Sequence, residues 1–284
     1  MMNWNRLLSP RRLGMEGWNP TSKTEDRSQF QRDYDRIIFS SPFRRMQNKT
    51  QVFPLPEHIF VHNRLTHSLE VASVGRSLGN LLAEKLALEW PGHPLIPETG
   101  TIVSTACLAH DLGNPPFGHS GESAISHFFT HGAGQHFKGK LTPGEWKDFT
   151  HFDGNANAFR LLTHQFTGKR PGGFALTYST LASIVKYPYE SSLAEKAKFG
   201  FFQSEKAVFQ KIAESLGILQ NEGDGLSFSR HPLVYLVEAA DDICYQIIDL
   251  EDAFKLGILP YEKIKELYLE FYDGGEDKKT LQSI

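Results

Sequence analysis

Between Thr105 and Glu122 the chain reads TACLAHDLGNPPFGHSGE, and four residues able to do chemistry fall inside it: His110, Asp111, His119 and Glu122. The lead-in from Ile102 to Ala109 is apolar and reads as a buried helix. Gly113, Asn114, Pro115 and Pro116 stop it, because proline has no N–H to donate and restricts the residue before it. Adjacent His and Asp at the buried end of a helix are an expensive choice. Desolvating a neutral polar group costs on the order of 2–7 kcal/mol, and a charge more. A metal ion is the simplest compensation, since imidazole and carboxylate together form a donor set for divalent metals. His119 and Glu122 lie three residues apart at the start of the next helix, so they share a face and suit proton transfer.

Three other places carry residues of the same kind. His67 follows Arg64 by one turn near the start of a long helix, so both can project into one cavity. A single histidine at a helix start is commonly structural; this one matters only if His110 and Asp111 face it. Asp241, Tyr245 and Asp249 recur every four residues along PLVYLVEAADDICYQIIDLEDAF, an acid–phenol–acid stripe on an otherwise apolar helix. Arg44, Arg45 and Lys49 cluster beside Phe43 and Phe53, either as a solvated basic face or as phosphate contacts, for which arginine's fork of donors is suited.

The elements that must position these groups are helical. The first helix is expected from Ser28 to Ser40, after a polar arm over residues 1–29 broken by Pro10, Gly14, Gly17 and Pro20. The long helix from about His62 carries Leu65, Leu69, Ala72, Leu78, Leu81, Leu82 and Leu86 at amphipathic spacing. Ser120 is placed to cap the helix of His119 and Glu122. Residues 131–148 read as a surface excursion, and HFDGNANAFRLL resumes helix with His151 at its N-terminal end. TYSTLASIVKYPYE is helical up to a break at Pro188, and Lys198 opens a basic, aromatic entry to a helix that ends at Gly217. LSFSRHP holds the one expected strand, and a surface helix runs from Tyr261 into a polar end. The expected class is all-α, with at most a short strand or hairpin.

Bulk properties narrow the function. At 284 residues and 40% hydrophobic content the chain holds an ordinary globular core, and its net charge of −3 excludes a nucleic-acid-style basic excess. Cys107 and Cys244 sit in apolar periodic segments and read as core residues in a reducing compartment. No stretch approaches the roughly 18 apolar residues of a membrane span, and the N-terminus has no apolar signal region. Cytoplasmic location is the expectation.

The order His67, His110–Asp111, Asp241 on a helical background resembles the HD superfamily of metal-dependent phosphohydrolases. HD alone is a two-residue signal. DRIIFSSPFRRMQNKTQVF, HNRLTHSLEVASVGRSLG, AHDLGNPPFGHSGE, HFDGNANAFRLL and LVEAADDICYQIIDLEDA are far more specific, and together they resemble the deoxyguanosinetriphosphate triphosphohydrolase branch. The resemblance implies an HD-domain catalytic region over residues 30–256, behind the arm 1–29. Residues 257–284 would begin a C-terminal helical region that family members extend, and that extension contributes to base recognition in them. It implies a divalent metal, Mn or Mg, with Fe, Co and Zn also suited, held by His67, His110, Asp111 and Asp241. Relatives place the sugar-facing tyrosine four residues after the ligand aspartate, which selects Asp241 over Asp242. His119 backed by Glu122 would do the acid–base work. Arg64 and Lys198 resemble phosphate contacts, His151 a residue near the α-phosphate, and Arg45 a helper near sugar or phosphates. Gln51, Tyr245 and Asp249 resemble groups lining the deoxyribose. The implied reaction is attack at the α-phosphorus of a dNTP, dGTP first, by a homo-oligomer. The alternatives are an HD phosphohydrolase for another nucleotide and a nucleotide-sensing or nucleic-acid-binding protein.

Overall fold

The structure, a computed structural model, describes residues 3–17, 27–54, 60–168, 171–194 and 198–270. Twelve α-helices are found in this part of the chain: α1 (Trp4–Leu7), α2 (Gln29–Ile38), α3 (Ser41–Arg45), α4 (Arg64–Glu89), α5 (Thr99–Ala109), α6 (Gly118–His131), α7 (Pro143–Thr150), α8 (Gly154–Thr163), α9 (Tyr178–Ile184), α10 (Lys206–Leu216), α11 (Val234–Lys255) and α12 (Tyr261–Glu270). Among the described residues there is no strand, only isolated bridges such as Tyr189 with Ser227 and Gln220 with Phe228. The fold is all-α, as the sequence implies; the strand expected in LSFSRHP is reduced to those bridges. No helix among the described residues is long and apolar enough to cross a membrane.

α5 is the axis of the core. Ten of its eleven residues are buried, including Ile102, Val103, Ala106, Cys107 and Leu108, because α2, α4, α9 and α11 surround it. Each fully buried aliphatic side chain there is worth roughly 1.5–3 kcal/mol against exposure. α4 approaches α5 most closely through small residues, while Leu65, Leu78, Leu82 and Leu86 of the leucine stripe pack on the core. Its buried face is Arg64, His67, Ser68, Val71, Ala72, Gly75, Gly79, Ala83 and Leu86, while Leu69 and Leu81 face solvent. At Gly79 a Cβ would stand 2.7 Å from the Gly100 Cα, and at Gly75 2.5 Å from Cys107 Sγ. The missing side chains are what bring the two helix axes together.

Caps and turns account for the remaining differences from expectation. Asn63 and Thr66 form a reciprocal capping box that starts α4. α6 begins at Gly118, two residues before Ser120, and its N-cap is Phe117 at φ 64°, so Ser120 lies inside the helix. The expected excursion over 131–148 contains a 3-10 segment (Ala133–Lys140) and then α7, capped by Thr142 with Glu145. His151 closes α7; Asp153 caps α8. Residues 198–202 are not helical: Phe201 bridges Glu190, and α10 starts only at Lys206. The N-terminal segment lies on the same core, with Leu7, Leu8 and Leu13 buried and Arg12 paired to Asp33 at 2.6 Å. Residues 18–26 of the arm and the polar end from 271 fall outside the described residues.

Candidate active site

Three helices deliver acids and imidazoles to one point. His67 comes from the first turn of α4, His110 and Asp111 follow the end of α5, and Asp241 comes from the second turn of α11. His67 Nε2 stands 3.0 Å from Asp241 Oδ1. His110 Nε2 is 3.5 Å from the same oxygen and 3.7 Å from Asp111 Oδ1. One donor atom each from His67, His110 and Asp111 lie within 4.8 Å of one another. Asp242, next along α11, is exposed.

The local hydrogen bonds prepare these groups as ligands. His110 Nδ1 donates to the Cys107 carbonyl at 2.6 Å, which orients the ring and turns Nε2 toward the carboxylates. His67 is 1% exposed and its Nδ1 has no partner, so Nε2 must supply its compensation. Burial alone would depress His110, but Asp111 and Asp241 lift it to about 9. Burial likewise opposes ionisation of Asp241, yet the hydrogen bonds and charges of His110 and His67 hold it far below the usual carboxylate range. Asp111 is lowered too, by His110 and Arg64 against its burial. Two ionised carboxylates and two imidazoles thus converge where a divalent cation fits their donor chemistry.

The turn after Asp111 carries the second pair. His119 Nδ1 donates to Glu122 Oε2 at 2.7 Å, and Glu122 Oε1 accepts from the Gly154 N–H, also at 2.7 Å. His119 is 85% exposed on its side chain, while Glu122 is buried beneath it. The turn is pinned from two sides. A Cβ at Gly113 would lie 2.1 Å from the Ala158 nitrogen and the Gly154 oxygen of α8, and one at Gly118 2.7 Å from Arg64 Nη2. Arg64 itself is paired with Asp111 Oδ2 at 2.5 Å, and Asn114 Nδ2 donates to Asp111 Oδ1 at 2.5 Å.

These groups open onto a cavity of about 440 Å³. Gln51, Arg64, His67, His110, Asp111, His119, Glu122, Lys198, Asp241 and Tyr245 all line it. Lys198 Nζ is 3.6 Å from Glu122 and 3.9 Å from Asp153. Gln51 Oε1 is buried without a partner. Asp249 does not line the cavity; it reaches it through the Tyr245 hydroxyl, which it accepts from and whose ionisation it suppresses. His151 and Arg45 are not in the lining. His151 contacts Thr150 Oγ1 at 3.1 Å, with its pKa lowered by burial and Lys147, and Arg45 is exposed at the end of α3. Sequence reading missed Asn114, Phe117, Asn155, Lys186, Tyr187 and Glu238, all in the lining. Lys186 and Tyr187 sit in the KYP run past α9, where Pro188 was read only as a helix stop. Glu238 lies one turn before Asp241, which is the signal that places it.

Residues 64–171, the stretch that carries His67, His110, Asp111, His119 and Glu122, match the family described as HD domain. Over 94% of its length it is 48% identical to a deoxyguanosinetriphosphate triphosphohydrolase-like protein of Pseudomonas aeruginosa, covering 61% of that protein. A protein of the same name from Synechocystis sp. is 44% identical over 93% of the chain and 63% of its own length. The deoxyguanosinetriphosphate triphosphohydrolase of Yersinia enterocolitica is 37% identical over 83% of the chain, which covers 52% of it. The chain spans between half and two thirds of the length of these curated relatives.

Proposed function

We propose that the chain is a metal-dependent dNTP triphosphohydrolase that takes dGTP and releases deoxyguanosine and inorganic triphosphate. The observation that carries this reading is the layout of one cavity, where the His67, His110, Asp111 and Asp241 donors share walls with the His119–Glu122 pair and with Arg64, Lys186 and Lys198. The names of the relatives supply the nucleotide.

In this reading His67, His110, Asp111 and Asp241 hold the metal, Mn or Mg, with Fe, Co or Zn open to the same donors. Bound there, it supplies charge neutralisation on a phosphate oxygen and a water of lowered pKa. Everything else is the work of the chain's own residues. Glu122 accepts a hydrogen bond from His119 Nδ1–H, so His119 Nε2 is left to exchange a proton with water or the departing ester oxygen. The Gly154 N–H and Lys198 hold Glu122 in that orientation. Arg64, Lys186 and Lys198 neutralise the phosphate chain as charge-assisted donors. Tyr245, braced by Asp249, and Gln51 line the sugar, where a tyrosine ring beneath it excludes a 2′-hydroxyl. His151 and Arg45 belong to this reading on the resemblance alone, as does a homo-oligomeric assembly.

The test is product analysis. Incubated with each of the four dNTPs and Mn or Mg, the protein should convert dGTP fastest and yield free nucleoside with intact triphosphate. Pyrophosphate or orthophosphate as the primary product would overturn it.

A further inference from the structure

The cavity contains an ion cluster in which the chemistry above gives a role to Lys186 alone and none to its partners Glu238 and Arg230. Lys186, just past α9, places its ammonium 3.0 Å from Glu238 Oε1, and Glu238 Oε2 accepts from Arg230 Nη1 at 2.9 Å. The Arg230 guanidinium lies over the rings of Tyr187 and Tyr235, 5.7 and 5.6 Å from their centroids. Glu238 sits three residues before Asp241 on α11 and shares its helix face. Lys186, Tyr187 and Glu238 all line the cavity. A cation available to a polyanion is therefore already matched by a carboxylate, and that carboxylate is tethered from behind.

The arrangement is poor for the tightest possible binding. A carboxylate a few ångströms from a phosphate-facing ammonium repels the phosphate and occupies its donor. Arg230 does not line the cavity; held over two tyrosine rings, it keeps Glu238 from turning away when an anion arrives. A site that must release a highly charged product gains from such a counterweight, since affinity for the product limits its departure.

Resting on the reading of this cavity as a polyphosphate site, we propose that Glu238 is a positioning residue that competes with bound phosphate for Lys186 and so limits how tightly the triphosphate product is held. Glutamine at this position removes the negative charge that attracts Lys186 and repels phosphate, so the hold on Lys186 weakens whichever cation the remaining amide oxygen accepts from.

Isothermal titration with inorganic tripolyphosphate in the presence of Mg, alongside KM and kcat for dGTP, tests this. Glu238→Gln should bind tripolyphosphate about fivefold more tightly than wild type, with a gain that shrinks as salt is raised. KM for dGTP should fall with it, and kcat should not rise. The gain should vanish in the Lys186→Ala background. Arg230→Gln should act in the opposite direction, because Glu238 is then left to Lys186 alone, and tripolyphosphate should bind more weakly. Equal or weaker binding by Glu238→Gln, or a gain that persists without Lys186, overturns the proposal; so does a wild type that fails to bind tripolyphosphate. If the binding results hold but no dNTP is hydrolysed, the nucleotide reading falls and the role of Glu238 stands.

Discussion

The His119 side chain is 85% exposed, and its usefulness depends on a buried partner. An imidazole free in solution samples both tautomers; here Glu122 selects one, and the Gly154 N–H keeps Glu122 from turning away. His119→Ala should therefore lower dGTP turnover by roughly 10²–10⁴, the range typical of a positioned general acid or base. Metal affinity measured by titration should stay within about twofold, because His119 touches none of the four donors. Full turnover in the variant would remove His119 from the proposed chemistry. At this scale the sequence was informative wherever a residue's type was improbable for its setting. His110–Asp111 at the buried end of an apolar helix and Asp241 on an apolar stripe advertise themselves by their desolvation cost. Lys186 and Tyr187 do not, because a lysine and a tyrosine at a helix end are ordinary, and only the path of the chain past α9 turns them into the cavity.

At the scale of elements, two glycine contacts set the distances. The turn from Asp111 to His119 is held because Gly113 lies against the backbone of α8, and α4 approaches α5 because Gly79 lies against Gly100. In both, backbone and not a flexible side chain meets the absent Cβ, so neither neighbour yields cheaply. Gly79→Ala should cost roughly 1–3 kcal/mol, read as a lowered Tm or urea midpoint. Gly139→Ala, at a site with nothing within 4 Å, should leave stability within about 0.5 kcal/mol. Equal losses at both sites would argue against close packing as the cause. Gly113→Ala should separate the two halves of the site, reducing turnover more than metal affinity, since Gly113 lies in the link between them. These contacts explain what the leucine pattern of α4 left out: Ala72 and Leu86 are buried and Leu65, Leu78 and Leu82 pack on the core, but the closest approach is made by glycines that the pattern does not mark. Periodicity finds apolar side chains, so it marks the leucines that pack on the core together with Leu69 and Leu81, which face solvent, and passes over Gly75 and Gly79, where the helices come closest. Ser120 misled for a related reason: capping preference favours a serine, whereas the close approach of Arg64 and the left-handed backbone at Phe117 and Gly118 start α6 two residues earlier.

At the scale of the molecule, His231 ties together three parts of the chain that are far apart in sequence. Its Nε2 donates to the Leu7 carbonyl at 3.3 Å, and its Nδ1 accepts from the Leu233 N–H at 3.3 Å while facing Ser183 Oγ at 3.3 Å. The N-terminal segment, α9 and the start of α11 therefore meet at one neutral imidazole. Protonation would place a proton on Nδ1, which already accepts, inside a fully buried site. Burial accordingly pushes its pKa down from 6.5 to about 4, with the Leu7 carbonyl only partly offsetting it. A folded pKa below the unfolded one means that the unfolded chain binds the proton more readily. The stabilisation is complete above about pH 6.5 and is lost as pH falls toward 4. Its full size is on the order of 3 kcal/mol. Many carboxylates titrate over the same range, so the informative quantity is the difference between wild type and His231→Gln. Plotted from pH 8 to pH 4 in urea melts, the advantage of wild type should be flat to about pH 6.5 and then shrink steadily. A difference that does not change with pH would show that His231 fills space without acting as a neutral link. Because His231 stands ten residues before Asp241 on the chain, loosening it frees the start of the helix that carries that aspartate. Metal affinity in wild type should then weaken over the same interval, by more than in the variant.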